Sequence, residues 1–362
     1  MSDRGALQAS QQGQPAKSAP PGPAHTRLSV DEHVVALVWS PQGDALAAAG
    51  ADGGVYLFDA DPRPRLRRIC EHARGALNVH FIRGGRHLVS GGQDGEVQVH
   101  DCASGALSYK LAVPGQWVEH FTSSADGRLL ALAAGRQVRV YEADTLSLVH
   151  AFKPLPATVA GLAFAPRGIL LAAASYGGVQ LLTPSMPYGV RTLAWTGACV
   201  SLAWRPDASV IVAGGQDASV QFWRLPKGKH AAMSGYATKV RELAWNGSGR
   251  WLASGGGSSV VLWDFKPGPE GHPPRILHSH ADCIVGLRWQ RRGPLLASVS
   301  RDGALLLWRP GRSEFPLESY KLAFVPTTLA WSPDDRLLAI GGDGGQLVVI
   351  DMKEIKVKGA EG

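Results

Sequence analysis

The stretch Asp282–Arg309, DCIVGLRWQRRGPLLASVSRDGALLLWR, decides the fold. It holds three short apolar runs, Ile284–Trp289, Leu295–Val299 and Ala304–Trp308. Each has the length of a strand and is rich in Val, Leu, Ile and Trp. Turn residues fill the gaps, first Arg292-Gly293-Pro294 and then Arg301-Asp302-Gly303. Three strands joined by tight turns form an antiparallel meander. A single meander leaves apolar surface exposed, so it requires neighbours.

The same pattern returns along the chain. Trp39, Phe81, Phe121, Phe164, Trp204, Trp245, Trp289 and Trp331 each end a first strand. Phe58, His100, Tyr141, Leu182, Trp223, Trp263, Trp308 and Val349 each end a third. Both series repeat at roughly 40–45 residues, the period of a β-propeller blade. The fold expected is all-β, a single propeller of eight blades with four antiparallel strands each; seven is the alternative if one unit is misread. The units at 134–136 and 176–184 diverge most, with Ala134-Gly135-Arg136 and Tyr176-Gly177-Gly178 where Asp-Gly is expected.

Composition sets the outer bounds. Residues 1–24 are rich in Gln, Pro, Ser, Ala and Gly and read as a disordered tail, 25–351 as the propeller, and 352–362 as a short Lys-rich tail. No run of about 18 apolar residues marks a membrane span. The four cysteines, Cys70, Cys102, Cys199 and Cys283, stand far apart, which suits a reducing cytoplasm. A net charge of +7 permits acidic partners without identifying one.

The units resemble WD40 repeats. SGGQDGEVQVHD (Ser90–Asp101), AGGQDASVQFWR (Ala213–Arg224), SGGGSSVVLWDF (Ser254–Phe265) and SVSRDGALLLWR (Ser298–Arg309) carry the resemblance, with a literal Trp-Asp pair only at Trp263-Asp264. It covers residues 25–351 and speaks for fold rather than activity. It implies a blade-locking tetrad of His, Ser, Asp and Trp. His280, Ser298, Asp302 and Trp308 make a full set; His72, Ser90 and Asp94 make a near-complete one, with His100 in the Trp position. Tyr236 takes the His position of its unit. The His25–Val30 segment stands where a fourth strand ahead of the first unit belongs, and is expected to pair with the last blade and hide its edge.

No nucleotide-binding, nucleophile-elbow or zincin motif occurs, so an enzyme is not expected, and neither is a cofactor. His272, His278, His280 and Cys283 offer zinc-type ligands, but His280 already has a tetrad role, and no metal is assigned. The first-to-second-strand turns carry Arg83, Arg86, Arg128, Arg167, Arg205, Arg250, Arg291, Arg292 and Arg336 and foretell one basic face. The opposite face is where WD40-like propellers dock proteins or peptides. Its loops hold Trp117, Trp195 and Tyr236, with Gln93, Gln216 and Arg301 beside the Asp turns, residue types suited to interfaces. The expectation is a monomeric, cytoplasmic, non-catalytic interaction scaffold. The alternatives are a nucleic-acid or polyanion binder through the basic face, or an accessory protein of zinc handling.

Overall fold

The computed structural model describes residues 25–59, 65–113, 116–186, 190–266, 268–270, 272–278 and 280–354. The expectations for residues 1–24 and 355–362 lie outside that set. Met352–Glu354, at the start of the expected C-terminal tail, make one turn of 3-10 helix.

A single four-stranded unit shows the building rule. Val34–Trp39, Ala45–Gly50, Gly54–Asp59 and Leu66–Glu71 pair antiparallel in sequence order. The second strand, ALAAAG, is buried almost throughout. It lies mid-sheet with sheets packed on both faces, so its apolar run is continuous rather than alternating, and its side chains are small. The second strands Leu129–Ala134 and Leu337–Gly342 follow the same rule. Fourth strands face solvent on the rim: Leu107 and Leu148 are more than half exposed.

The described strands form seven hydrogen-bonded sheets, six of four strands and one of six. This corrects the expectation of eight separate four-stranded sheets; by sheets the count is the alternative, seven. The cause is local. Leu171–Leu182 and Val190–Trp204 each run unbroken through what elsewhere would be two strands, so two repeat units share one sheet. Gly178 permits the continuity. Its φ is +114°, and a Cβ there would stand 2.1 Å from the Leu193 carbonyl oxygen.

The innermost strands neighbour one another in a closed cycle. Starting from Val34–Trp39 it passes through Ala76–Ile82, Val118–Ser123, Gly161–Phe164, the second half of Val190–Trp204, Glu242–Trp245, Ile284–Trp289 and Pro326–Trp331, then returns to the start. Indoles stitch this cycle. Trp39, Trp204, Trp289 and Trp331 each donate Nε1–H to a backbone carbonyl of the preceding innermost strand, at Ala330, Ala163, Ala244 and Arg288, over 3.0–3.1 Å. His25–Ser29 pairs antiparallel with Gln346–Asp351, in the register His25↔Ile350 to Ser29↔Gln346. The last sheet therefore takes strands from both ends of the described chain.

Candidate protein-interaction face

Antiparallel meanders send their connections alternately to the two sides of the ring. Turns between first and second strands emerge on one side, here called the turn face. Turns between second and third strands, and the links from one unit to the next, emerge on the other, the link face.

The link face is stitched by backbone hydrogen bonds that recur from unit to unit. Ala51, Gln93, Gln216, Arg301 and Asp343 each open a turn and donate N–H to a link carbonyl, of His33, Gly75, Ala198, Cys283 and Val325, over 2.9–3.0 Å. The next link donates back: His72 N–H to Gly53 O, Val113 to Gly95, Leu322 to Gly303. Loops with their polar groups paired this way present fixed side chains.

The tetrads lie beneath this face. In the sixth sheet, His280 Nε2 stands 2.7 Å from Ser298 Oγ, and Trp308 Nε1–H donates to that same oxygen over 2.9 Å. Asp302 accepts N–H bonds from Ala281 and Ala304, and its carboxylate faces His280 Nδ1 at 3.7 Å, an ion-pair distance too long for a hydrogen bond. In the second sheet His72 bridges Ser90 Oγ at 2.9 Å and Asp94 at 3.1 Å, while Asp94 accepts N–H from Ala73 and Glu96. Burial works to raise the pKa of both aspartates. The backbone donors and the histidines outweigh it, so both carboxyls lie below their usual range. His100, in the Trp position, is buried, and burial followed by the nearby His72 lowers its pKa.

Tyr236 completes a third lock. Its hydroxyl meets Ser254 Oγ at 2.6 Å and accepts the Trp263 indole N–H over 2.8 Å. A phenol can accept and donate at one atom, so it bridges Ser and Trp where His elsewhere joins Ser and Asp. Burial pushes its pKa up to about 12. The polar end of Tyr236 is thus engaged inside the blade. Trp195 also packs inward: its ring lies within 3.0 Å of where a Cβ on Gly197 or Gly215 would stand. Gln93 is half-buried over Gly75, while Gln216 and Arg301 are exposed. Trp117 is 52% exposed. These residues are spread round the ring and do not share one pocket. The sequence did not single out Tyr176 as a contact residue; it is 64% exposed within the continuous strand Leu171–Leu182, where other units turn. Its signal was present, an aromatic at the position where five of the other units carry Asp, at Asp52, Asp94, Asp217, Asp302 and Asp343.

The four zinc-type ligands do not converge. His280 is taken by Ser298, and His278, on the outermost strand, pairs through Nδ1 with Ser259 Oγ at 2.9 Å. Among the described residues, the group close enough to share an ion is His72, Asp94 and Glu96. There His72 already pairs with Asp94, and Glu96 with Lys110 at 2.7 Å.

The turn face is less basic than the arginine count suggests. Arg128 pairs with Asp126, Arg205 with Asp207, Arg250 with Asp264 and Arg336 with Asp351. Arg83 donates to the carbonyls of Ala143 and Asp144.

Comparison with known proteins agrees with this architecture. The family model described as WD domain, G-beta repeat matches residues 24–59, 189–224, 229–264, 271–309 and 319–351. The WD repeat-containing protein srw1 of Schizosaccharomyces pombe is 34% identical over 151 residues, 41% of this chain and 26% of that protein. The anaphase-promoting complex subunit cdc20 of Dictyostelium discoideum is 27% identical over 147 residues, 39% of this chain and 29% of that protein. The matches thus span under a third of these two relatives. Among solved structures, the computationally designed Ika8 protein superposes with a TM-score of 0.75, covering 89% of this chain and 97% of that one at 19% identity, a likeness of fold alone.

Proposed function

The chain belongs to the WD40-repeat β-propeller family, and from that membership we infer that it is a non-catalytic scaffold that docks partner proteins or peptides on its loop faces. The observation that carries this reading is the link face: a rigid, backbone-stitched rim that holds large aromatic side chains out in solvent. Trp117 and Tyr176 are its anchors, since interface energy concentrates in aromatic and Arg side chains. Gln93, Gln216 and Arg301 supply the polar surround. Trp195 and Tyr236 act as supports that set the shape of the rim. A relative whose name makes it a subunit of a complex, the cdc20 protein, is in keeping with this role.

In the same reading the six-stranded sheet counts as two fused blades, so the ring has eight repeats. Support comes from the cycle of innermost strands, in which each repeat supplies one. The pairing of His25–Ser29 with the last sheet is the closure of that ring. We place the scaffold in the cytoplasm as a monomer.

The test is affinity capture from the protein's own cells with the full chain and with Trp117→Ala/Tyr176→Ala. The reading expects a defined set of proteins held by the parent and lost from the double variant, whose thermal unfolding is unchanged. Retention of every partner by the double variant would move the contact off this face.

A further inference from the structure

Two recesses meet on the turn face, away from the aromatics just described. One, of about 350 Å³, lies at the ends of the innermost strands among Trp39, Trp289, Trp331 and Arg288. The other, of about 450 Å³, crosses the turns at 246–248 and 291–294. Arg291 lines both, so the two recesses adjoin, here together called one groove. We propose that this groove docks an acidic peptide segment that also carries an apolar side chain.

The charge argument begins with Asp335. Its carboxylate accepts the backbone N–H groups of Arg291, Arg292 and Gly293 over 2.5, 2.7 and 2.9 Å. Gln290 Nε2–H donates to the Asp335 carbonyl over 3.2 Å. This fixes the turn, and leaves the Arg291 and Arg292 guanidinium groups with one carboxylate beside their main chain, a local excess of positive charge. The Arg291 and Arg292 side chains are exposed. Among the described residues neither enters an ion pair. Four other turn-face arginines do, as described above. The groove is therefore a place on this face where two adjacent arginines keep exposed side chains with no acidic side chain among the described residues paired to them. Arg288 at its inner end is held by Glu242 over 2.9 Å.

The apolar requirement comes from the inner recess. Trp39 and Trp289 are buried there, and Trp331 is half-buried. All three indole N–H groups are already given to backbone carbonyls, so a ligand meets ring carbon. Guanidinium forks bind carboxylates in bidentate fashion, and an aromatic wall receives an aliphatic or aromatic side chain. A nucleic acid fits less well. The acid-paired arginines interrupt any cationic track around the face, and a phosphate backbone needs several contacts in succession.

The inference rests on the scaffold reading but uses the other face, so each can fail alone. The experiment is random-peptide phage display against the full chain, counter-selected on Arg291→Glu/Arg292→Glu. Selected peptides should combine Asp or Glu with an aromatic or aliphatic residue. A dye-labelled copy should lose about tenfold or more in affinity on Arg291→Ala/Arg292→Ala, and should weaken with salt. It should be untouched by Arg128→Ala on this face or Trp117→Ala on the other. Unchanged thermal unfolding of the double variant excludes a folding defect. Lack of enrichment, selected peptides without acidic residues, or equal binding to the double variant would each overturn the proposal. So would a single-stranded oligonucleotide that binds more tightly than the peptide and is lost with the same variant.

Discussion

Single hydroxyls and carboxylates decide how firmly each blade is locked. Tyr236 joins Ser254 and Trp263 through one oxygen, so Tyr236→Phe strands the Trp263 indole N–H and leaves the Ser254 hydroxyl only its bond to the Val261 carbonyl. We expect a loss of about 1–3 kcal/mol, read as a lowered urea midpoint, with fold and secondary structure kept. Asp302 gives a pH signature. Its carboxyl is held below the usual range near 3.9, so as the medium is acidified the unfolded chain takes up the proton first. Its contribution is complete above the unfolded value and drains away as the pH falls through the folded one, below about pH 4. Urea midpoints measured against pH should therefore show a shallower acid limb in Asp302→Asn than in the parent. Much of this scale was legible in the sequence, because each tetrad lies within one unit and its members keep fixed spacings. The Tyr236 lock was only half legible: its position matched the His, but its two partners emerge only when three strands are laid side by side.

At the scale of the strand, the tryptophans that mark the period also tie one unit to the next. Trp289 gives its indole N–H to Ala244 O, whereas the indole N–H of Trp245 is buried with no partner and packs edge-on to Phe265 at 4.5 Å. The two positions look alike in sequence and should respond differently. Trp289→Phe should cost about 1–3 kcal/mol, since it orphans the Ala244 carbonyl as well as trimming the ring. Trp245→Phe loses contact area but also removes an unsatisfied donor, so its cost should be clearly the smaller in parallel urea titrations. A second feature of the strands escaped the sequence. The pairing of first with second strands slips at one residue in six units, at Val34/Ala36, Ala76/Asn78, Val118/His120, Cys199/Ser201, Ile284/Gly286 and Pro326/Thr328. Such bulges sharpen the twist that a ring of sheets needs. They leave no distinct mark in the sequence because the skipped residues, Val35, Leu77, Glu119, Val200, Val285 and Thr327, are mostly of the types found in any strand.

For the molecule as a whole, one sheet is built from both ends of the described chain. His25–Ser29 supplies the outer strand to Gln346–Asp351, which would otherwise present a bare edge. Removal of residues 1–30 should lower the thermal midpoint and produce concentration-dependent association in light scattering, while a truncation ending at residue 24 should do neither. The ring also half-buries a histidine between units. His80 Nε2 stands 2.7 Å from Ser123 Oγ of the next unit, and burial lowers its pKa to about 4. The unfolded chain protonates this group near pH 6.5, so stability should decline as the pH falls from there towards 4. His80→Gln should flatten that part of the profile and leave the region above pH 7 unchanged.

By itself the sequence determined the repeat, its period and the all-β ring. Strand periodicity, turn chemistry and in-unit spacing are local properties, written within about 40 residues. Only the tertiary structure decided that two units share one sheet, which arginines are neutralised, that Asp335 grips the turn at 291–293, and that Trp331 and Trp39 wall a recess beside it. The last two outcomes depend on residues a full repeat or more apart in the chain. Ring curvature brings them to hydrogen-bonding distance, and no one-dimensional pattern records curvature.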